Sequence, residues 1–120
     1  MANKSGMDLI NDAKTRIQEV SPAEVKQLQA SGGDTIYLDV REPNEWNLGH
    51  LPGAMHIPRG TLETKVEGVI PRDRDVVVYC AGGNRSALAA DTMREMGYEK
   101  VRSMADGWRG WVQVGGPVEG

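Results

Sequence analysis

Cys80 is the only cysteine in this 120-residue chain, and the residues that follow it are of the kind that hold an anion. The segment runs Val78-Tyr79-Cys80-Ala81-Gly82-Gly83-Asn84-Arg85-Ser86. An apolar strand ending at Tyr79 would deliver Cys80 to the edge of a sheet. Gly82 and Gly83 permit positive φ, so successive amides can turn inward as a nest for negative charge. A helix starting directly afterwards would aim its unpaired N–H groups and the positive end of its dipole at the same point. Arg85 adds a permanent positive charge or a fork of donors, and Ser86 is placed to cap the helix. All of this stabilises a thiolate on Cys80, the nucleophilic form of the residue. The two histidines, His50 and His56, lie outside the loop, which argues against a cysteine–histidine pair of the protease kind. An inert buried cysteine is the competing reading, and it gives Gly82-Gly83 and Arg85-Ser86 no purpose.

The rest of the composition narrows the class. A net charge of −3 and a pI of about 5.4 give no electrostatic footprint for nucleic acid or an anionic membrane. One cysteine excludes an internal disulfide and any multi-cysteine zinc site, and His50 and His56 give weak grounds for a metal, so no metal and no cofactor is expected. The first residues lack an apolar signal core, and no apolar run approaches the ~18 residues that span a bilayer. A cytoplasmic soluble domain is therefore expected, and a lone thiol suits a reducing compartment.

The elements that would position Cys80 follow from periodicity and punctuation. Leu9, Ile10, Ala13 and Ile17 share one face of a short amphipathic helix over residues 8–19. Such a helix packs on its own domain or on a partner. Ser21, Pro22 and Glu24 start a second helix that runs to Ala30. Residues 35–40 and 75–79 predict buried strands, 54–57 a brief extended piece, and 101–104 a last strand. Helices are expected over 43–48, 61–69, 86–96 and 107–114. Trp46, Leu38, Val76, Val78, Met93 and Met96 are core candidates. Short strands alternating with helices predict an α/β sandwich with a mainly parallel sheet, whose sites form at the carboxyl ends of strands.

Three segments then occur in a telling order. The first is Asp39-Val40-Arg41-Glu42-Pro43-Asn44-Glu45-Trp46, followed by Gly49-His50-Leu51-Pro52-Gly53-Ala54; the second is the Cys80 loop; the third is Asp106-Gly107, Trp111 and Gly116-Pro117-Val118. Together they resemble the rhodanese homology domain over residues 19–118, with residues 1–18 as an N-terminal extension. The resemblance implies a three-layer α/β fold with a central, mainly parallel five-stranded sheet and flanking helices. It implies Cys80 as the sulfur-accepting catalytic residue, with the loop Ala81, Gly82, Gly83, Asn84, Arg85 and Ser86 binding the substrate and its amides cradling a persulfide. Asp39 and Arg41 match a pair that ties neighbouring loops together; a plain surface salt bridge is the other reading.

Cys80 to Arg85 spans six residues counting both ends, whereas related phosphatases carry one more, a ring wide enough for a tetrahedral phosphate. The loop also holds no acid for a leaving group. The chain thus resembles a thiosulfate sulfurtransferase. The implied donor is a small anion such as thiosulfate, and the implied acceptor is cyanide or a dithiol such as reduced thioredoxin. Arg85 and Arg59 are candidates to attract the donor, although Arg59 also fits an ordinary surface arginine. A non-catalytic persulfide carrier or sulfur-sensing module, a phosphatase- or arsenate-reductase-like enzyme and a purely structural docking domain, a kind that often lacks the cysteine present here, are the rivals. Asp106 and the extra tryptophan of Gly107-Trp108-Arg109-Gly110-Trp111 depart from the family pattern and would reshape the rim of the site. The oligomeric state, including self-association through the first helix, stays open.

Overall fold

The computed structural model describes residues 3–120. The chain forms α1 (Gly6–Arg16), β1 (Gln18–Val20), α2 (Pro22–Ala30), β2 (Ile36–Asp39), α3 (Pro43–Asn47), β3 (Met55–His56), a 3₁₀ turn (Arg59–Thr61), α4 (Leu62–Val69), β4 (Val76–Tyr79), α5 (Asn84–Glu95), β5 (Val101–Met104) and α6 (Gly107–Gln113). The strands make one sheet in the order β1-β5-β4-β2-β3, and every pairing is parallel. A parallel sheet is covered on both faces, so its central strands have no polar side to show water. β4, Val76-Val77-Val78-Tyr79, is buried at all four positions.

Alternation along β4 divides the core. Val76 and Val78 join Leu38, Leu62, Val66, Ala89 and Met93 beneath α4 and α5. Val77 and Tyr79 join Val25, Leu51, Met104 and Trp111 beneath α2 and α6. The result is the three-layer α/β arrangement, with α1 laid on the outside of α5. α2 starts on a capping box in which Ser21 Oγ accepts from the Glu24 amide and Glu24 accepts from the Ser21 amide.

Several boundaries differ from the sequence-based expectations. α1 begins at Gly6, because Ser5 and Asp8 form their own capping box, and it ends at Arg16 rather than Glu19. Residues 18–20 leave the helix and pair with β5, supplying the fifth strand and drawing the end of the supposed extension into the sheet. α5 begins at Asn84, with Gly83 at φ 101° as its N-cap, two residues before the predicted start at Ser86. Trp46 is half-buried rather than in the core; its ring stacks on His50 at a centroid distance of 3.4 Å and on His56 at 4.8 Å. No helix among the described residues is long and apolar enough to cross a membrane.

Candidate active site

β4 carries Cys80 to the carboxyl end of the sheet, where it is 1% exposed. The peptide hydrogens there point at the sulfur. The Gly83 amide lies 3.1 Å from Cys80 Sγ and the Ser86 amide 3.3 Å. Gly83 can present its N–H this way because its left-handed backbone is one that side chains resist. The amides of Ala81, Gly82, Asn84 and Arg85 have no acceptor among the described residues, which leaves them for a ligand.

The loop is held from behind by α6. The Trp108 amide donates to the Cys80 carbonyl at 2.8 Å and the Arg109 amide to the Ala81 carbonyl at 3.1 Å. In a trans peptide N–H and C=O point opposite ways, so fixing these carbonyls on α6 turns the Ala81 and Gly82 amides away from it. Gly107 makes the approach possible: a methyl group there would lie 2.3 Å from the Cys80 carbonyl oxygen.

Ser86 does not cap α5, since Gly83 occupies that place; it sits fully buried inside the first turn. The Cys80 thiol donates to Ser86 Oγ over 3.4 Å, and Ser103 Oγ donates to Ser86 Oγ over 2.9 Å. Once the sulfur is charged, the Ser86 hydrogen can rotate toward it while Ser103 continues to donate to Ser86. Ser103 was missed in the sequence; its one signal was a hydroxyl at a core position of a strand.

Asp39 and Arg41 form a buried pair, not a surface salt bridge. Arg41 Nη2 is 2.7 Å from Asp39 Oδ2 and 2.7 Å from the Gly49 carbonyl, and its guanidinium lies 4.7 Å from the Trp108 ring centre. The pair joins the end of β2 to the 49–53 turn and to α6, and its charges are consumed in doing so. Arg85 is likewise engaged. Its guanidinium grips the Glu45 carboxylate at 2.8 and 3.1 Å, tying α5 to α3. That hydrogen-bonded contact pulls the Glu45 carboxyl down to about 2. Arg59 donates to Glu63 at 2.9 Å and to Thr92 at 3.2 Å. Neither Arg85 nor Arg59 is therefore the unpaired cation that the sequence suggested for drawing in a donor.

The Rhodanese-like domain family matches residues 21–114. A curated Bacillus subtilis protein, YrkF, a candidate sulfur carrier by name, is 33% identical over 109 residues, which are 91% of this chain; this chain spans 58% of that protein's length. An Allochromatium vinosum protein named as a sulfurtransferase is 31% identical over 102 residues, covering 85% of this chain and 94% of its own. Among solved structures, RPA3614 from Rhodopseudomonas palustris, a protein of unknown function described as a possible tyrosine phosphatase, superposes with a TM-score of 0.90 at 33% identity. It covers 99% of this chain and 97% of its own.

Proposed function

This chain belongs to the rhodanese-like domain family, and on that premise we propose that it is a sulfurtransferase that carries sulfane sulfur as a persulfide on Cys80. The observation that carries the reading is the pair of amides, Gly83 and Ser86, converging on Cys80 Sγ beside four loop amides with no acceptor among the described residues. The curated relatives named for sulfur carriage and sulfur transfer point the same way.

In the first step the Cys80 thiolate attacks the outer sulfur of thiosulfate. The S–S bond of the donor breaks and sulfite leaves with the bonding pair, so Cys80–S–S⁻ forms with no other reactant. In the second step cyanide attacks the terminal sulfur, thiocyanate departs, and the Cys80 thiolate is restored. A dithiol such as reduced thioredoxin serves as well: one thiolate takes the sulfur as a persulfide and the second displaces it as hydrosulfide, leaving the acceptor as a disulfide. Both steps keep negative charge in the loop, where fixed amides meet it without reorganising. A covalent intermediate of this kind predicts ping-pong kinetics. The chemistry suits a reducing compartment such as the cytoplasm, where Cys80 stays a thiol.

A phosphatase reading is less well supported. The loop from Cys80 to Arg85 holds no carboxylic acid to protonate a leaving alkoxide, and Glu45, the acid bonded to Arg85, is locked in that ion pair. Intact mass spectrometry after incubation with thiosulfate decides between the two. One added sulfur per chain, discharged by cyanide as thiocyanate and absent in Cys80→Ser, is the expected result. No mass gain together with hydrolysis of an aryl phosphate would overturn the proposal. A stable persulfide that no acceptor discharges would convert it to sulfur carriage without turnover.

A further inference from the structure

Every arginine in the chain but one donates to a carboxylate or a carbonyl. Arg16 and Arg94 share Asp91, Arg41 holds Asp39, Arg59 holds Glu63, and Arg72, Arg74, Arg85 and Arg102 are similarly occupied. Arg109 alone has no side-chain partner among the described residues, and it is exposed. Its guanidinium is not out in solvent at random. A methyl group built on Gly82 would stand 3.0 Å from Arg109 Nη1 and 3.5 Å from Cζ, so the guanidinium lies over the second residue of the Cys80 loop. The backbone fixes its root there, because the Arg109 amide is bonded to the Ala81 carbonyl.

We propose that Arg109, reaching from α6 over Gly82, is the specificity residue that recognises the anionic end of the sulfur donor. The inference rests on reading Cys80 as the sulfur acceptor. When the outer sulfur of thiosulfate meets Cys80 Sγ, its charged oxygens remain at the mouth of the loop. The Cys80 thiolate itself repels a dianion, so binding requires a cation that no protein carboxylate has claimed. Arg85 and Arg41 are neutralised, which leaves Lys14, donating to the neutral Asn84 Oδ1 at 3.4 Å, and Arg109, and of these two only Arg109 offers a fork of donors. A guanidinium fork suits a planar pair of oxyanion oxygens. The same contact strengthens as sulfite departs with the bonding electrons. A methyl group on Gly82 would press on the guanidinium, whose tip would have to give by a few tenths of an ångström.

The test separates charge recognition from sulfur chemistry. Cys80 is alkylated with iodoacetate, an anion, and with iodoacetamide, its neutral counterpart, in wild type, Arg109→Gln and Arg109→Lys. The rate ratio of anion to neutral reagent is expected to fall roughly tenfold in Arg109→Gln and to be largely kept in Arg109→Lys. In wild type the ratio should drop toward the glutamine value at 1 M salt, where the Debye length is about 3 Å. The KM for thiosulfate should rise by a similar factor in Arg109→Gln. A ratio unchanged in Arg109→Gln overturns the proposal, whatever the thiosulfate result. A wild type that takes up no sulfur, yet shows the arginine-dependent ratio, would instead defeat the sulfurtransferase reading and leave Arg109 as an anion contact.

Discussion

Ser86 Oγ stands between Cys80 Sγ and Ser103 Oγ, and neither serine hydroxyl reaches water. A buried hydroxyl without a partner costs about 1–3 kcal/mol, whereas removing both partners of a bond can be almost neutral. Ser86→Ala strands Ser103 and withdraws one donor from the sulfur. It should lower the unfolding free energy by roughly 2 kcal/mol in urea titration. Ser86→Ala combined with Ser103→Ala should cost less than the two single losses added together. Strict additivity would show that the hydroxyls are not coupled. Glu45 gives the stability of the fold a pH dependence. Its carboxyl is held at about 2 by Arg85 against an ordinary 4.5. A carboxyl depressed on folding stabilises the folded state above its unfolded pKa, and that stability disappears as pH falls through the folded value. Wild type should therefore exceed Glu45→Gln by a constant margin above pH ~5, and the margin should close between pH ~4.5 and ~2; the pair is partly exposed, so the margin is at most about 1 kcal/mol. Parallel pH–stability curves for the two proteins would show that the ion pair contributes nothing.

α6 holds the Cys80 loop in its working shape through two amide–carbonyl bonds, and Gly107 sets the distance. With φ at 49° and a carbonyl oxygen 2.3 Å from any methyl group, Gly107→Ala combines backbone strain with overlap. Strain and overpacking each cost about 1–3 kcal/mol, so a loss of roughly 3 kcal/mol is expected, read as a lower urea midpoint with slower sulfur loading of Cys80. Wild-type loading in a destabilised variant would separate loop shape from function. The elements themselves were legible where local rules suffice. Three valines before Tyr79 announced β4, and Ser21 with Glu24 announced α2. β1 was not legible, because two of its three residues are exposed and Ile17 continued the apolar face of α1. The Cys80 loop could be read as an anion nest, because its glycines and the following helix are contiguous. What engages it could not. Glu45 is 40 residues from Arg85 and Ser103 is 17 from Ser86, and Arg109 reaches the loop only because α6 folds back on it. Capping signals also misplaced the start of α5, since Ser86 has a cap's chemistry while Gly83 has the required backbone.

The whole molecule extends beyond the segment that the family match covers. Residues 21–114 leave out α1 and β1, yet β1 is an edge strand of the sheet and α1 lies along α5, the helix whose first turn faces the sulfur. Ala13 is completely buried in that contact, and Arg16 grips Asp91 with Nε and Nη2 while Arg94 holds the same carboxylate. Asp91 is lowered by these hydrogen bonds, that to Arg16 first, against the opposing effect of burial. Removing α1 would uncover the Ala13 contact surface on α5 and leave Asp91 with Arg94 alone. An ion pair of this exposure contributes little to stability, and re-exposing an apolar helix face costs more. Deletion of residues 1–16 should therefore lower the unfolding free energy by roughly 2 kcal/mol and the urea midpoint by more than Arg16→Ala does. Because α5 aims the Ser86 amide at Cys80, the deletion should also slow thiosulfate loading at denaturant concentrations where the chain is still folded. If the shortened chain unfolds at the same midpoint and loads at the same rate, α1 is an appendage and the domain proper begins at β1.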